Sequence, residues 1–205
     1  MSKSRKSHSS RRIGLARTIS KLGYCSRAQA FTLIGNGRIA VNGKSQRNPE
    51  FPIRPGDIIT VDGQPLRASR KVYLMMNKPR GLVATASDEK GCATVYALLD
   101  PALPWVAPVG RLDKASEGLL LLTNDSEWAA LITSPDSRIE KTYRVQFDTV
   151  AGPRVAHSPQ RRCYHGELVR ATRAALLRAS EKTSWLDITL DEGRNRQIRR
   201  CRRRH

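Results

Sequence analysis

Apolar positions recur at helical spacing near the start of the chain. Ile13, Ala16, Ile19 and Leu22 predict a first helix, with Gly23 as its stop. Ser26 then reads as an N-cap. Ala28, Ala30, Phe31 and Ile34 form the apolar side of a second helix that ends at Gly35-Asn36-Gly37. The period next changes. Arg38 to Val41 is a short strand followed by the turn signal Asn42-Gly43, and Ile58 to Val61 is a second, closed by Asp62-Gly63. Residues 12–63 therefore predict two helices and a small hairpin-like sheet. Residues 64–71, polar and basic, read as a linker.

From Val72 the texture is that of a sheet. Val72 to Met76 predicts a buried strand, ended by Asn77-Lys78-Pro79-Arg80-Gly81. Leu82 to Thr85 is expected to pair with a neighbouring segment. Val95 to Leu99 predicts a short helix and Gly118 to Thr123 a strand. Glu127 to Ile132 predicts a helix capped by Asp125 or Ser126. Thr142 to Phe147 and Ser184 to Leu190 alternate as strands, while residues 150–182 read as loops with one weak strand or helix near 167–178. Strands outnumber helices without a regular βαβ repeat, which predicts an α+β fold with a mostly antiparallel sheet.

Charge divides the chain further. Of 205 residues, 37 are Lys or Arg and 18 Asp or Glu, a net charge of +19. Residues 1–71 hold 15 basic and 3 acidic side chains, a net of +12, and residues 194–205 hold seven Arg and no acid. Residues 72–193 are neutral, so an ordinary globular segment lies between two basic ends. A polyanion, nucleic acid above all, is the expected partner. Arg17, Lys21, Arg27, Arg38 and Lys44 are the expected backbone contacts in the first basic region. Residues 1–11 are Ser-rich and basic and predict a disordered tail. That composition also suits a transit peptide, but no amphipathic apolar stripe supports it.

Several classes drop out. The longest apolar runs, such as Val72 to Met76, fall far short of the roughly 20 residues that span a bilayer, and no export signal opens the chain. Cys25, Cys92, Cys163 and Cys201 are far apart with no C-x-x-C pair, which argues against zinc and fits reduced thiols in a cytoplasm. No helix-turn-helix or zinc pattern carries the charge, so double-stranded DNA is a weak alternative to RNA.

The densest candidate chemistry lies in Pro108 to Asp125, where a loop delivers Arg111, Asp113 and Lys114 and an apolar strand follows at once. A carboxylate between two cations stays ionised, and a rigid strand holds its loop still. A lone Asp in such a loop more often pairs with a neighbouring Arg or caps a turn.

Four ordered motifs raise the functional reading above that one. Gly110-Arg111-Leu112-Asp113 with Ser116-Glu117-Gly118-Leu119 through Asp125 resembles the signature of the pseudouridine synthase family, in its ribosomal-RNA branch with an N-terminal S4-like RNA-binding domain. Asn77 to Gly81 resembles the strand-end motif before that signature, and Glu140-Lys141-Thr142-Tyr143 the K-x-Y motif. Glu192 to Arg200 resembles the late basic motif. Ser26-Arg27, Gly37 to Gly43 and Pro55-Gly56-Asp57 resemble the S4-like domain. Ser116 stands where the family usually has Thr and keeps the hydroxyl; Ser126 stands where Gly is common.

The resemblance implies a small S4-like domain over 12–63, followed from residue 72 to 205 by a mixed, mostly antiparallel catalytic sheet with flanking helices. The family pattern continues for some tens of residues past the late basic motif, so a helix and a strand at the C-terminal end are expected to be missing. The implied reaction breaks the C1′–N1 bond of a uridine in ribosomal RNA, turns the uracil and rejoins it through C5, with no cofactor and no metal. Asp113 is implied as the catalytic carboxylate, which either attacks C1′ or removes the C2′ proton. Tyr143 is implied to pack on the target base and to assist proton transfer at C5. Arg199 is implied as the partner of Asp113 and Leu190 as apolar support of the pocket. Arg111 is implied to fill the place of the flipped nucleotide or to hold a phosphate. Ser26, Asn42, Arg194 and Arg196 join the expected RNA contacts. Reaching a stacked base requires flipping it, at a few kcal/mol that basic contacts and stacking can offset. A cytoplasmic monomer is expected, and the alternative is a non-catalytic S4-like RNA-binding protein acting in ribosome assembly.

Overall fold

The computed structural model describes residues 13–86, 91–148, 150, 161–164 and 167–191. The expected tail at 1–11 lies outside the described residues. So does the late basic motif at 192–200, with Arg194, Arg196 and Arg199. The chain divides into two compact units, Met1–Ala129 and Ala130–His205.

The first unit opens with β1 (Ile13–Gly14), which pairs antiparallel with β4 (Pro52–Ile53). Ile13 thus belongs to a strand and not to the predicted helix, because its amphipathic spacing is captured by Ile53 across the pair. Helix α1 (Leu15–Lys21) follows, then α2 (Arg27–Gly35). Ser26 caps α2 with a full capping box: its hydroxyl accepts from Gln29 N at 3.1 Å, and the Gln29 side chain accepts from Ser26 N at 2.9 Å. A four-stranded antiparallel sheet, ordered β3-β2-β5-β6, packs on the helices. Its strands are β2 (Ile39–Val41), β3 (Lys44–Ser45), β5 (Ile59–Val61) and β6 (Gln64–Pro65). Both hairpins are two-residue turns with positive φ at each position, Asn42-Gly43 at 50° and 77° and Asp62-Gly63 at 49° and 79°. This geometry matches the twist of the flanking strands and explains the Asx-Gly pairs. The predicted linker therefore begins as a strand. Leu15, Ile19, Ile34, Ile39 and Val61 close the core of this module.

The same unit continues with a three-stranded antiparallel sheet, β7-β9-β8, made of β7 (Tyr73–Lys78), β8 (Ala107–Val109) and β9 (Gly118–Thr123). Its core is Val72, Val95, Val106, Leu120 and Leu122. Strand β9 has the predicted bounds. The run Val72 to Met76 predicts burial, yet Met75 is 82% and Tyr73 50% exposed. Period two sends these side chains to the face opposite Leu74, Met76 and Lys78. Val83 makes a single bridge with Thr94, ahead of a 3-10 turn at Val95–Leu98. Helix α3 (Ser126–Thr133) is capped by Asp125, whose Oδ1 accepts from Glu127 N and Trp128 N at 3.1 and 3.2 Å.

The second unit holds an antiparallel sheet, β10-β14-β13, of β10 (Lys141–Phe147), β13 (Arg173–Ala179) and β14 (Ser184–Leu190). Between β10 and β13 in sequence, β11 (Arg161–Tyr164) pairs with β12 (Glu167–Arg170). Segment 150–182 reads mainly as loop, yet its described residues include β11, β12 and β13. Interspersed basic and small residues mask the strand period, and pairing with β14 supplies β13 with what local propensity lacks. Arg144 grips Asp187 with two hydrogen bonds of 3.0 and 3.1 Å across β10 and β14. Among the described residues no helix is long and apolar enough to cross a membrane.

Replacing Ser26 with Ala removes one half of the capping box and should cost about 1 kcal/mol. Amide exchange at Ala28 to Ala30 in the Ser26→Ala protein checks it, and unchanged protection there would rule the cap out as a stabilising device.

Candidate active site

The loop between β8 and β9 carries Arg111 and Asp113, and its geometry follows from a buried lysine. Lys78, the last residue of β7, shares the inward face with Leu74 and Met76 and is fully buried. Its ammonium has three hydrogens and donates to three main-chain oxygens: Pro79 O at 3.0 Å, Asp113 O at 3.1 Å and Ser116 O at 2.8 Å. Burial pushes Lys78 below the ordinary lysine range, and the Asp113 charge acts against that shift. The loop is pinned twice more. Ser116 N donates to Asp113 O at 2.9 Å, and Gly81 N donates to Lys114 O at 2.7 Å. The carbonyls of residues 113, 114 and 116 are all engaged, so the Asp113 carboxyl leaves a backbone that cannot drift.

Asp113 is half-buried at this turn, and Arg111 is exposed on the approach to it. Gly110 (φ +79°) and Gly118 (φ +126°) bound the loop in conformations that L side chains rarely adopt. Lys78 is a site residue that the sequence reading misses. A signal exists: counting by twos from Val72 places a charged side chain on the buried face of β7.

Tyr143 and Leu190 belong to the second unit. Register pairs Tyr143 with Ile188 and Lys141 with Leu190, which places Tyr143 and Leu190 on one face as diagonal neighbours. Leu190 is buried and Tyr143 half-buried, and burial raises the Tyr143 phenol above its ordinary range, so it stays protonated at neutral pH. Arg199, the expected partner of Asp113, lies outside the described residues, as do Arg194 and Arg196.

The described RNA-contact candidates differ in what already holds them. Arg17, Arg27 and Lys44 are exposed and carry no ion pair among the described residues. Lys21 reaches Glu127 at 3.4 Å. Three others serve the fold of the first module: Ser26 caps α2, Arg38 clasps Asp62 with Nε 2.9 Å from Oδ1, and Asn42 links Asp57 to Ile58 N at 2.9 Å each. Among the described residues no group of three His, Cys, Asp or Glu side chains is placed to hold a metal ion.

The sequence profile of the RNA pseudouridylate synthase family matches residues 72–203, and that of the S4 domain matches residues 13–59. The chain is 35% identical over 190 residues to ribosomal large subunit pseudouridine synthase B of Bacillus subtilis, covering 91% of this chain and 78% of that protein. It is 36% identical over 187 residues to an uncharacterized RNA pseudouridine synthase of Rickettsia bellii, covering 91% and 81%. A crystal structure of a pseudouridylate synthase superposes with a TM-score of 0.57 at 28% identity, over 92% of this chain and 81% of that one.

Lys78→Met keeps the length of the side chain and removes the ammonium from three carbonyls, of which Asp113 O keeps Ser116 N as a donor. Local opening of the loop should become easier by about 1–3 kcal/mol, read as faster amide exchange at Gly81 and Ser116. Global stability should change less, because the burial cost of the ammonium disappears with it. Lys78→Arg should not restore protection, since a planar fork cannot point at three converging oxygens. Wild-type exchange at both amides in Lys78→Met would overturn this account of the loop.

Proposed function

Because the chain belongs to the RNA pseudouridylate synthase family and carries an S4 domain ahead of the synthase part, we propose that it converts one uridine of ribosomal RNA to pseudouridine with Asp113 as the catalytic carboxylate. The observation that carries this reading is the loop 110–117, fixed through its carbonyls by Lys78 and presenting Asp113 at the entry of β9. A carboxylate that must meet one sugar carbon gains from such fixing, because a productive approach leaves little room for drift. The name of the Bacillus relative supports large-subunit RNA as the first substrate to test.

In the proposed reaction the target nucleotide is flipped out of its helix. Asp113 acts on the ribose, at C1′ or at the C2′ proton, and the C1′–N1 bond breaks. The uracil turns and C5 bonds to C1′ as the ester to Asp113 breaks or, on the other route, as the C2′ proton returns; C5 then loses its proton and N1 gains one, so atoms balance without a cofactor. Tyr143 stacks on the turning base, and its protonated phenol is a donor near neutral pH. Leu190 backs the same face. Arg111, exposed beside Asp113, contacts the phosphate or the gap left by the base. Residues 12–63 grip folded RNA through Arg17, Arg27 and Lys44, with Arg194 and Arg196 adding charge from the late basic motif.

Asp113→Asn keeps the side-chain shape and removes its charge. Pseudouridine formation on unmodified large-subunit rRNA should fall by about three orders of magnitude or more, while RNA binding and melting temperature stay close to wild type. A near wild-type rate would remove Asp113 from the reaction.

Each phosphate contact releases counterions, so replacing Arg17, Arg27 and Lys44 together by Ala should reduce the salt dependence of RNA affinity by about two to three in the log–log slope. Titration of RNA binding across salt concentrations checks this, and an unchanged slope would mean that the charge acts elsewhere.

A further inference from the structure

The signature strand β9 does more than carry the catalytic loop at its entry. At its exit, Thr123, Asn124 and Asp125 are all buried and all bind the segment that arrives from the S4 module. The Thr123 hydroxyl donates to Val72 O. Asn124 Oδ1 accepts from Val72 N at 2.9 Å, and its Nδ2 donates to Arg70 O at 2.8 Å. Asp125 takes Lys71 Nζ at 2.6 Å and the Tyr73 hydroxyl at 2.9 Å.

The other side of the same segment holds the end of α1. Ser69 N donates to Leu22 O at 2.9 Å and Ser69 Oγ to Gly23 O at 3.3 Å. Gly23, buried at φ +75°, lies so close that a Cβ there would stand 3.0 Å from Asn124 Nδ2 and 3.1 Å from Ser69 Cβ. The apolar clusters of the two modules share no residue. The joint is thus polar, with Asn124 reaching the connecting segment by hydrogen bonds and the α1 stop by direct packing.

We propose that Asn124 is a positioning residue, which docks the S4 module on the exit of β9 and so holds its RNA grip at a fixed spacing from Asp113. Six extended residues separate the two ends of β9, about 20 Å of stiff strand. RNA held by both modules then meets them as one rigid footprint, and the second contact forms at high effective concentration. The inference rests on the synthase reading for its kinetic consequence only; the dock itself is a matter of structure.

The experiment uses the full chain with Asn124→Ala, Gly23→Ala and both together, the two residues lying on opposite sides of the joint. Trypsin probes the segment directly, through Arg67, Arg70 and Lys71. Cutting there should quicken about ten-fold in each single variant, because the segment leaves its partners. On unmodified large-subunit rRNA, KM should rise about ten-fold while kcat at saturating RNA stays within about two-fold. The double variant should be no worse than the worse single, since one dock is lost only once. Unchanged cutting in both single variants would overturn the dock. A fall in kcat with KM unmoved would also overturn it, because Asn124 would then act on the catalytic loop. Should Asn124→Ala fail to fold, Gly23→Ala carries both readouts from the other side. A wild-type chain that forms no pseudouridine would overturn the functional reading instead, and the trypsin comparison would then decide the dock alone.

Discussion

An ammonium group buried under an apolar sheet must find acceptors for all three of its hydrogens, and in this protein the Lys78 ammonium finds them in the main chain of its neighbours. Two of the three oxygens belong to residues 113 and 116, which are 35 and 38 positions further along. The requirement to satisfy one cation therefore becomes a requirement on the path of a distant loop. Had the partner been a side chain, the lysine could have moved with it. Carbonyls on a strand-bounded turn give it no such freedom, and the backbone of Asp113 is held as a consequence. The charge is doubly useful: it holds the backbone of Asp113 by hydrogen bonds and lies within electrostatic reach of its carboxylate.

Strand β9 extends that constraint. Leu120 and Leu122 face the core and anchor the strand, while its first residue closes the loop and its last begins the polar joint to the S4 module. One element thus carries both the loop of Asp113 and the attachment of the S4 module. The S4 module needs no such outside support for its own shape. Its hairpins are set by Asx-Gly turns, its second helix by the Ser26 capping box, and its sheet end by Arg38 on Asp62. Using Arg38 and Asn42 in this way leaves Arg17, Arg27 and Lys44 as exposed cations without an ion pair among the described residues.

The second unit solves a different problem. Tyr143 and Leu190 are far apart in sequence, yet an unbroken register from Lys141↔Leu190 to Phe147↔Ser184 brings them to one face. The Arg144–Asp187 pair and the Thr142–Thr189 hydroxyl contact at 2.9 Å occupy the opposite face and lock that register. A slip of one residue would turn Tyr143 away from Leu190, so these polar pairs have a consequence for an apolar site.

Much of this is legible in the chain. Ser26 with Gln29, Asn42-Gly43, Asp62-Gly63, the bounds of β9 and the Asp125 cap of α3 are local signals, written within a few residues of where they act. The loop around Asp113, with its ordered companions, is recognisable for the same reason. What the sequence does not settle are choices among distant partners. Ile13 has helical spacing but pairs with Ile53, Met75 sits in an apolar run but faces outward, and Arg161–Tyr164, Glu167–Arg170 and Arg173–Ala179 have no clear period but form strands. Arg38 reads as a phosphate contact, and only the fold shows that it also clasps Asp62. Lys78 reads as the end of a strand until three carbonyls converge on it. Local propensity depends on neighbours a turn away, and those neighbours are given by the sequence. Burial and satisfaction of a charge depend on what the fold brings within hydrogen-bonding reach, and only the tertiary structure decides that.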